Sequence, residues 1–404
     1  MGALSHLRVL DLSRVLAGPA AGQILADLGA EVIKIERPGQ GDDTRAWGPP
    51  WLRDSAGNET SEAAYYLGAN RGKKSVAINL SSAEGQQLVR DLAATSDIVI
   101  ENFRVGGLAR YGLDYASLSA DHPGLIYCSI TGFGQTGPYA ERPGYDAMIQ
   151  AMGGLMSITG EADGQPQKVG VALADVMSGL YAVIGILAAL AHRERTGAGQ
   201  YIDLALLDVQ VAALTNQAMN YLVGERVPQR MGNAHPNIVP YQAFATEDGY
   251  LMLAVGNDTQ FRRLCELLGQ AELAADPRFA TNSARVNHRD LLVARLAGEF
   301  ARGRRDDWLA RLEAVGVPCG PVNHIDEVFA DPQVRHRGMR TEAEHPLAGR
   351  VPLVGSPLKL SATPPIHAVA PPTLGQHTDE VLTQALGLDA AACERLRDAG
   401  VIGG

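Results

Sequence analysis

Cysteine is scarce in this sequence of 404 residues: Cys128, Cys265, Cys319 and Cys393 stand far apart, and no CxxC pair occurs. That spacing excludes a disulfide framework or a thiolate zinc centre as the organising element, and a reducing compartment is expected. The ten histidines also lack ligand spacing, so no metal site is expected. Aromatic residues make up 5% of the chain, too few for an aromatic-rich recognition surface. Positive charge falls short of negative, 35 Lys and Arg against 45 Asp and Glu, for a net charge of −10. A nucleic-acid partner is thereby disfavoured, because cations must replace the phosphate counterions. The longest apolar run, residues 180–191 (LYAVIGILAALA), falls short of the ~20 residues that span a bilayer. It reads as a buried core helix. No basic stretch followed by an apolar signal core opens the sequence, so a cytoplasmic protein with no membrane partner is expected.

What is present points to an α/β protein. Glycine is abundant at 45 residues, and apolar residues reach 46%. This composition suits close backbone packing and many tight turns, and the length suits two lobes. Residues 7–12 (LRVLDL) and 31–36 (EVIKIE) read as strands around a small-residue helix over 18–28. Strands over 75–78, 97–100, 125–130 and 200–204 alternate with helices over 83–94 and 177–192. This alternation predicts a doubly wound, Rossmann-like parallel sheet with helices on both faces. A second, smaller α+β domain starts near residue 232, with strands over 241–245 and 250–254, and the tail over 378–399 reads as helical. The expected organisation is a large domain over 1–205, a linker over 206–231, the small domain over 232–308, a second linker over 309–329, and a C-terminal segment over 330–404 returning to the large domain.

The first βα turn (DLSRVLAGPAAG, residues 11–22) lacks the GxGxxG order of a dinucleotide site, although Pro19 fits a helix start. Arg37 and the loop GDDTRAWGPP over 41–50, with Arg45 and Trp47, suggest a phosphate or carboxylate pocket, against the plainer reading of a solvated loop. The cluster Asn70-Arg71-Gly72-Lys73-Lys74 enters a strand and suggests phosphate contacts in an otherwise acidic chain. Asn102 and Phe103 lie just past the carboxyl end of a strand, where open α/β sheets bind ligands. Asp175 interrupts the apolar run VGVALADVMSG over 169–179. A carboxylate there loses hydration at a cost of several kcal/mol unless it is compensated. Helix cap and nucleophile are both open readings at this point.

Several blocks taken together resemble the family III CoA-transferases: RVLAGP (14–19), ADLGAEVIKIERPGQGDD (26–43), NRGKKS (70–75), ENF (101–103), GFGQTGP (132–138), Asp175 and TLGQHTDEVL (373–382). Their order and spacing cover nearly the whole chain. The blocks GDDTRAWGPP, GNAHPNIVPYQAF (232–244) and GVPCGPVN (316–323) are most similar to the succinyl-CoA–dicarboxylate members, which act on glutarate or hydroxymethylglutarate. The resemblance implies CoA transfer from an acyl-CoA to a carboxylic acid. Asp175 would be the catalytic nucleophile, passing through a mixed anhydride and an aspartyl-CoA thioester. It further implies coenzyme A contacts at Val15, Leu16, Arg37, Asn70, Arg71, Lys73, Lys74, Asn102, Phe103, Arg110 and Tyr145. Substrate contacts are expected at Arg14, Trp47, His235, Asn237 and Ile238, with oxyanion donors among the amides near 234–238. The family's interlocked homodimer is expected too. An α-methylacyl-CoA racemase of the same fold, or a CoA-binding module without turnover, would be the alternatives. The racemase needs a second base, and at the matching place this chain has Gly144-Tyr145-Asp146, whose tyrosine is a poor proton shuttle near neutral pH.

Overall fold

Short strands whose side chains alternate between two apolar layers build the larger of two units. The computed structural model describes residues 2–366 and 369–404. The larger unit comprises residues up to Gly154, Val169–Ala218 and Pro332–Gly404; the smaller comprises Leu155–Lys168 and Met219–Asp331. In the larger unit the elements run β1 (Arg8–Asp11), α1 (Ala17–Asp27), β2 (Glu31–Glu36), β3 (Lys73–Ile78), α2 (Ala83–Ala94), β4 (Ile98–Glu101), β5 (Ile126–Thr131), α3 (Asp146–Met152), α4 (Leu173–Thr196), β6 (Tyr201–Ala205) and α5 (Leu206–Ala212).

The sheet order is β3-β2-β1-β4-β5-β6, all parallel, and the terminal strand Ile402–Gly403 adds antiparallel to β3 at the edge. Strand order reverses between β1 and β4, which opens a crevice beyond their carboxyl ends. Val9, Val32, Ile98 and Ile126 face one layer, with Ala21 and Leu25 of α1 and Ala182 and Ile186 of α4. Leu10, Ile33, Val99 and Tyr127 face the other, with Leu88 and Leu92 of α2 and Val381 and Leu382 of the C-terminal helix Thr378–Leu386. Apolar contact on both faces is what a parallel sheet requires.

The helix α4 packs directly on α1 through small residues: a Cβ on Gly179 would lie 2.9 Å from the Ala17 carbonyl oxygen. It starts earlier than its apolar run suggested, so Asp175 falls in its first turn. With 24 residues and a mean hydropathy of 2.0 over its most apolar stretch, α4 is, among the described residues, one helix long enough to cross a bilayer. The sequence reading had judged the run too short. Half of that stretch is buried within the protein, and Val176, Leu180, Tyr181, Ile184 and Leu187 on this helix are exposed.

The smaller unit carries β7 (Tyr241–Thr246) and β8 (Gly249–Ala254) as a hairpin, with β9 (Cys319–Pro321) antiparallel to β8. Helices α6 (Asp258–Leu267), α7 (Arg289–Phe300) and α8 (Arg305–Ala314) cover it. Phe244, Leu251, Phe261, Leu296, Phe300 and Trp308 form its core.

The division departs from the sequence reading at the linkers. Residues 206–212 form α5, whose Leu206 joins the larger unit's core, and α8 over the start of the second expected linker buries Leu312 in the smaller unit. Residues 155–168 belong to the smaller unit. The tail breaks into two helices at Gly387, whose φ of 70° ends the first, and Asp389 caps the second through the Ala392 amide.

Candidate active site

The first βα turn is held in a conformation its sequence does not prefer. Val15 has φ 72°, which a β-branched residue adopts only under constraint. The constraint comes from three sides. Val15 N–H donates to both Asp42 carboxylate oxygens at 3.2 and 3.3 Å. Arg14 N–H donates to Asn102 Oδ1 at 2.9 Å, and Asn102 Nδ2 returns to the Arg14 carbonyl at 2.7 Å. Those two bonds tie the turn after β1 to the turn after β4, across the point where strand order reverses. Lys34, fully buried on β2, donates to the Ser13 carbonyl at 2.7 Å and pairs with Asp42 at 2.8 Å. Burial pushes the Asp42 carboxyl up, but Lys34 and the Thr44 donors outweigh it and hold the group at about 2.

This turn forms one wall of a cavity of about 240 Å³, where Asp175 lies with Arg14, Val15, Leu16, Asp43, Asn102, Phe103, Arg142 and Tyr145. The opposite wall is set by Gly132 and Gly144, whose backbones touch: a Cβ on Gly132 would lie 2.5 Å from Gly144 Cα. That approach brings Tyr145 and Asp146 against the carboxyl end of β5. Asp146 then caps α4 from a distance. Its Oδ1 accepts from Ala174 N at 2.8 Å and Asp175 N at 3.3 Å, while Gln150 Nε2 holds Oδ2 at 2.7 Å. The residue at the cap position itself, Ala172, has no side chain to offer. Asp175 is therefore not the cap. Its carboxyl is left for the cavity, half-buried, and desolvation followed by the nearby Asp146 charge raises it to about 7. The amides of a helix N-terminus favour the anion; here Asp146 already uses two of them, and burial wins. Tyr65 also stands close, its phenol raised by burial and then by the Asp175 charge. Trp47, 43% exposed, packs edge-on against Tyr65 and does not line this cavity.

A second cavity of about 400 Å³ adjoins the first, sharing Arg14, Asp43 and Phe103. It is lined further by Glu36, Arg37, Gln40, Asn79, Ser81 and Tyr111. Arg37 reaches Gln40 Oε1 at 3.0 Å, and Arg110 stacks 4.5 Å over Tyr111. Glu101, pushed up to about 7 by burial, accepts from Phe103 N at 2.7 Å and so shapes the turn that carries Asn102 and Phe103.

The Asn70–Lys74 cluster differs from the sequence reading. Asn70, Arg71 and Lys73 are buried, and none of the cluster lines either cavity. Arg71 binds Asp27 through two nitrogens and the Val354 carbonyl through a third. Lys73 donates to Asp11, the Pro19 carbonyl and Asn70, all within 2.9 Å. Lys74 pairs with Glu31 and Glu380. Buried cations need such partners, and these partners occupy the donors that a phosphate would use. Arg45 is likewise internal, bound to Glu36 and Glu62 and stacked 3.7 Å from the Tyr66 ring centre.

His235, Asn237 and Ile238 belong to the smaller unit. There the Asn237 amide donates to His235 Nδ1 at 3.0 Å, and Arg289 caps the carbonyls of His235 and Pro236. Asp42, Asp43 and Asp146 carry no local signal in the sequence, because their partners Val15, Arg14 and Ala174 lie 27 to 29 positions away. Among the described residues no group of His, Cys, Asp and Glu is arranged to hold a metal.

Comparison with known proteins gives consistent results over the full chain. A sequence profile described as CoA-transferase family III matches residues 4–378. A succinate–glutarate CoA-transferase of Agrobacterium fabrum is 54% identical, over 96% of this chain and 97% of that one. The succinyl-CoA:glutarate CoA-transferase of Homo sapiens is 45% identical, over 99% of this chain and 90% of that one. The crystal structure of a CAIB/BAIF family protein from Brucella suis superposes with a TM-score of 0.84 at 53% identity, covering 95% of this chain and 99% of that one.

Proposed function

The chain belongs to CoA-transferase family III, and from that premise we propose that it exchanges CoA between succinyl-CoA and glutarate through Asp175. The observation that carries the reading is a half-buried carboxyl, raised to about 7, facing a cavity that adjoins a second, larger one. Asp175 attacks the thioester carbonyl; the C–S bond breaks and CoA leaves as thiolate, giving a succinyl–aspartyl anhydride. The thiolate attacks the aspartyl carbonyl, succinate departs, and an aspartyl-CoA thioester remains. Glutarate attacks that thioester, a second anhydride forms, and the thiolate takes the glutaryl group while Asp175 is regenerated. Each step exchanges one acyl bond for another, so no net proton is needed. Desolvation favours both the nucleophile and the survival of the anhydride.

Val15, Leu16, Asn102, Phe103 and Tyr145 are assigned to the pantetheine arm beside Asp175, and Arg37 and Arg110 to the nucleotide end. Arg14 is assigned to the distal carboxylate of the diacid, since guanidinium–carboxylate pairing is directional. Mixing the purified protein with succinyl-CoA and glutarate should yield glutaryl-CoA by mass spectrometry. Its absence, with succinyl-CoA intact, would remove this substrate assignment. Because the anionic form of Asp175 attacks, the rate should fall about tenfold per pH unit below about 7 and level off above it. A flat profile between pH 5.5 and 8 would contradict the role.

A homodimer accompanies this reading. Val176, Leu180, Tyr181, Ile184 and Leu187 form an exposed apolar face on α4, and Tyr221, Leu222, Val223 and Val227 are exposed in the smaller unit. Apolar surface on this scale marks an interface. Light scattering should return twice the chain mass at micromolar concentration; a monomer would count against it.

A further inference from the structure

We infer that Asp43 is a specificity-determining residue: its carboxylate occupies the Arg14 guanidinium as an internal stand-in, and only an acid with a second carboxylate displaces it. This rests on the assignment of Arg14 to the distal carboxylate. Arg14 Nη1 and Asp43 Oδ2 are 3.0 Å apart, and their side chains are 51% and 39% exposed. Both residues line the Asp175 cavity and also the adjoining one. Their backbones, by contrast, are fixed. Asn102 grips Arg14 through its N–H and its carbonyl, and Asp42, anchored by buried Lys34, caps the short helix Asp43–Ala46 through the Thr44 amide. Two exchangeable side chains thus stand on two rigid supports.

The energetics suit an exchange. A solvent-exposed ion pair is worth roughly 0–1 kcal/mol, so an incoming carboxylate of the same chemistry replaces it at little cost. A monocarboxylic acid has no group with which to compete, finds Arg14 already neutralised, and gains nothing from it. The pair therefore tempers the diacid preference that Arg14 confers: a distal carboxylate gains the guanidinium only by displacing Asp43.

Internal competition tests this. Equimolar glutarate and pentanoate, acids of equal chain length, are offered together with succinyl-CoA, and the ratio of the two new acyl-CoA products is read by mass spectrometry. That ratio reports relative kcat/KM for the two acceptors whatever the order of steps. Asp43→Asn and Asp43→Ala should each raise the glutarate preference roughly two- to fivefold, because a competitor of exposed-pair strength is gone. Arg14→Gln should lower it about tenfold or more, because a charge-assisted contact is lost. An unchanged ratio in both Asp43 variants, or a shift in the same direction as Arg14→Gln, would overturn the inference, as would an effect confined to the KM for succinyl-CoA. The failures are separable. A wild-type protein that makes neither product sinks the functional reading and this inference together; one that makes glutaryl-CoA while the variants keep its selectivity sinks this inference alone.

Discussion

Asp175→Asn should reduce CoA transfer by about four orders of magnitude or more while leaving CoA affinity within roughly threefold. The asparagine amide has nearly the same shape but cannot form an anhydride, and neither Tyr65 nor Asp146 replaces the lost nucleophile. In the variant Tyr65 is still held protonated, by burial and by the Asp146 and Asp42 charges. Asp146 has its oxygens engaged by Ala174, Asp175 and Gln150. Asp175→Ala controls for slow deamidation of the asparagine. Hydroxylamine quenching of the working wild-type enzyme should give a hydroxamate on the peptide that contains Asp175, and neither variant should show one. A variant that retains even a hundredth of the wild-type rate, after deamidation is excluded, would move the chemistry elsewhere.

The same substitution has a stability signature of opposite sign. The Asp175 carboxyl sits at about 7 in the folded chain against 3.8 for the free group. Between those values the folded state binds the proton more tightly than the unfolded state does, so stability declines as pH rises from about 4 to 7. Removing the charge should therefore stabilise the protein by roughly 1–3 kcal/mol near pH 8 and by little near pH 4. A site that destabilises its own fold until it is neutralised is what a desolvated nucleophile requires, and a merely structural capping Asp would show the reverse.

Part of this was legible in the residues alone. Short, nearly continuous apolar runs alternating with helices and glycine-rich turns mark the parallel strands, since a sheet covered on both faces buries both sets of side chains. Asp175 stands out because a charge inside an apolar run is costly wherever the chain folds. The fate of Asn70–Lys74 was not legible. Lys73 is neutralised by Asp11, 62 positions away, and Arg71 by Asp27, 44 positions away, so whether a cation faces a ligand or a carboxylate depends on strand order. Asp146 was hidden for the same reason: it caps a helix that begins 27 residues later, by way of a glycine–glycine contact. The linker expected over 206–231 also turned out to be largely helical, in two pieces, Leu206–Ala212 and Thr215–Gly224. Its hydrophobicity continues, but the helix breaks near Thr215, whose φ of 40° leaves the helical region.

Replacement of Lys34 by methionine should cost about 3–5 kcal/mol of folding stability, the range expected when one partner of a buried ion pair is removed. Lys34 and Asp42 are both fully buried. Without the ammonium, the Asp42 carboxylate keeps only the Val15 amide and the Thr44 amide and hydroxyl as donors, and Asp11 and Glu36 add like charge to the region Lys34 now balances. Lys34→Met/Asp42→Asn should recover a good part of the loss, because the asparagine oxygen can still accept from Val15 and Thr44 with no charge left stranded. Urea unfolding of the two single variants, the double variant and the wild type gives the coupling energy directly. The functional consequence separates this from ordinary destabilisation. The left-handed Val15 depends on Asp42, so in folded Lys34→Met the turn should relax and the KM for acyl-CoA rise, while the pH at which Asp175 titrates moves little. A loss below about 1 kcal/mol, or a folded variant with an unchanged KM, would mean that the strained turn is held by Asn102 alone and that the ion pair beneath it has no part in binding.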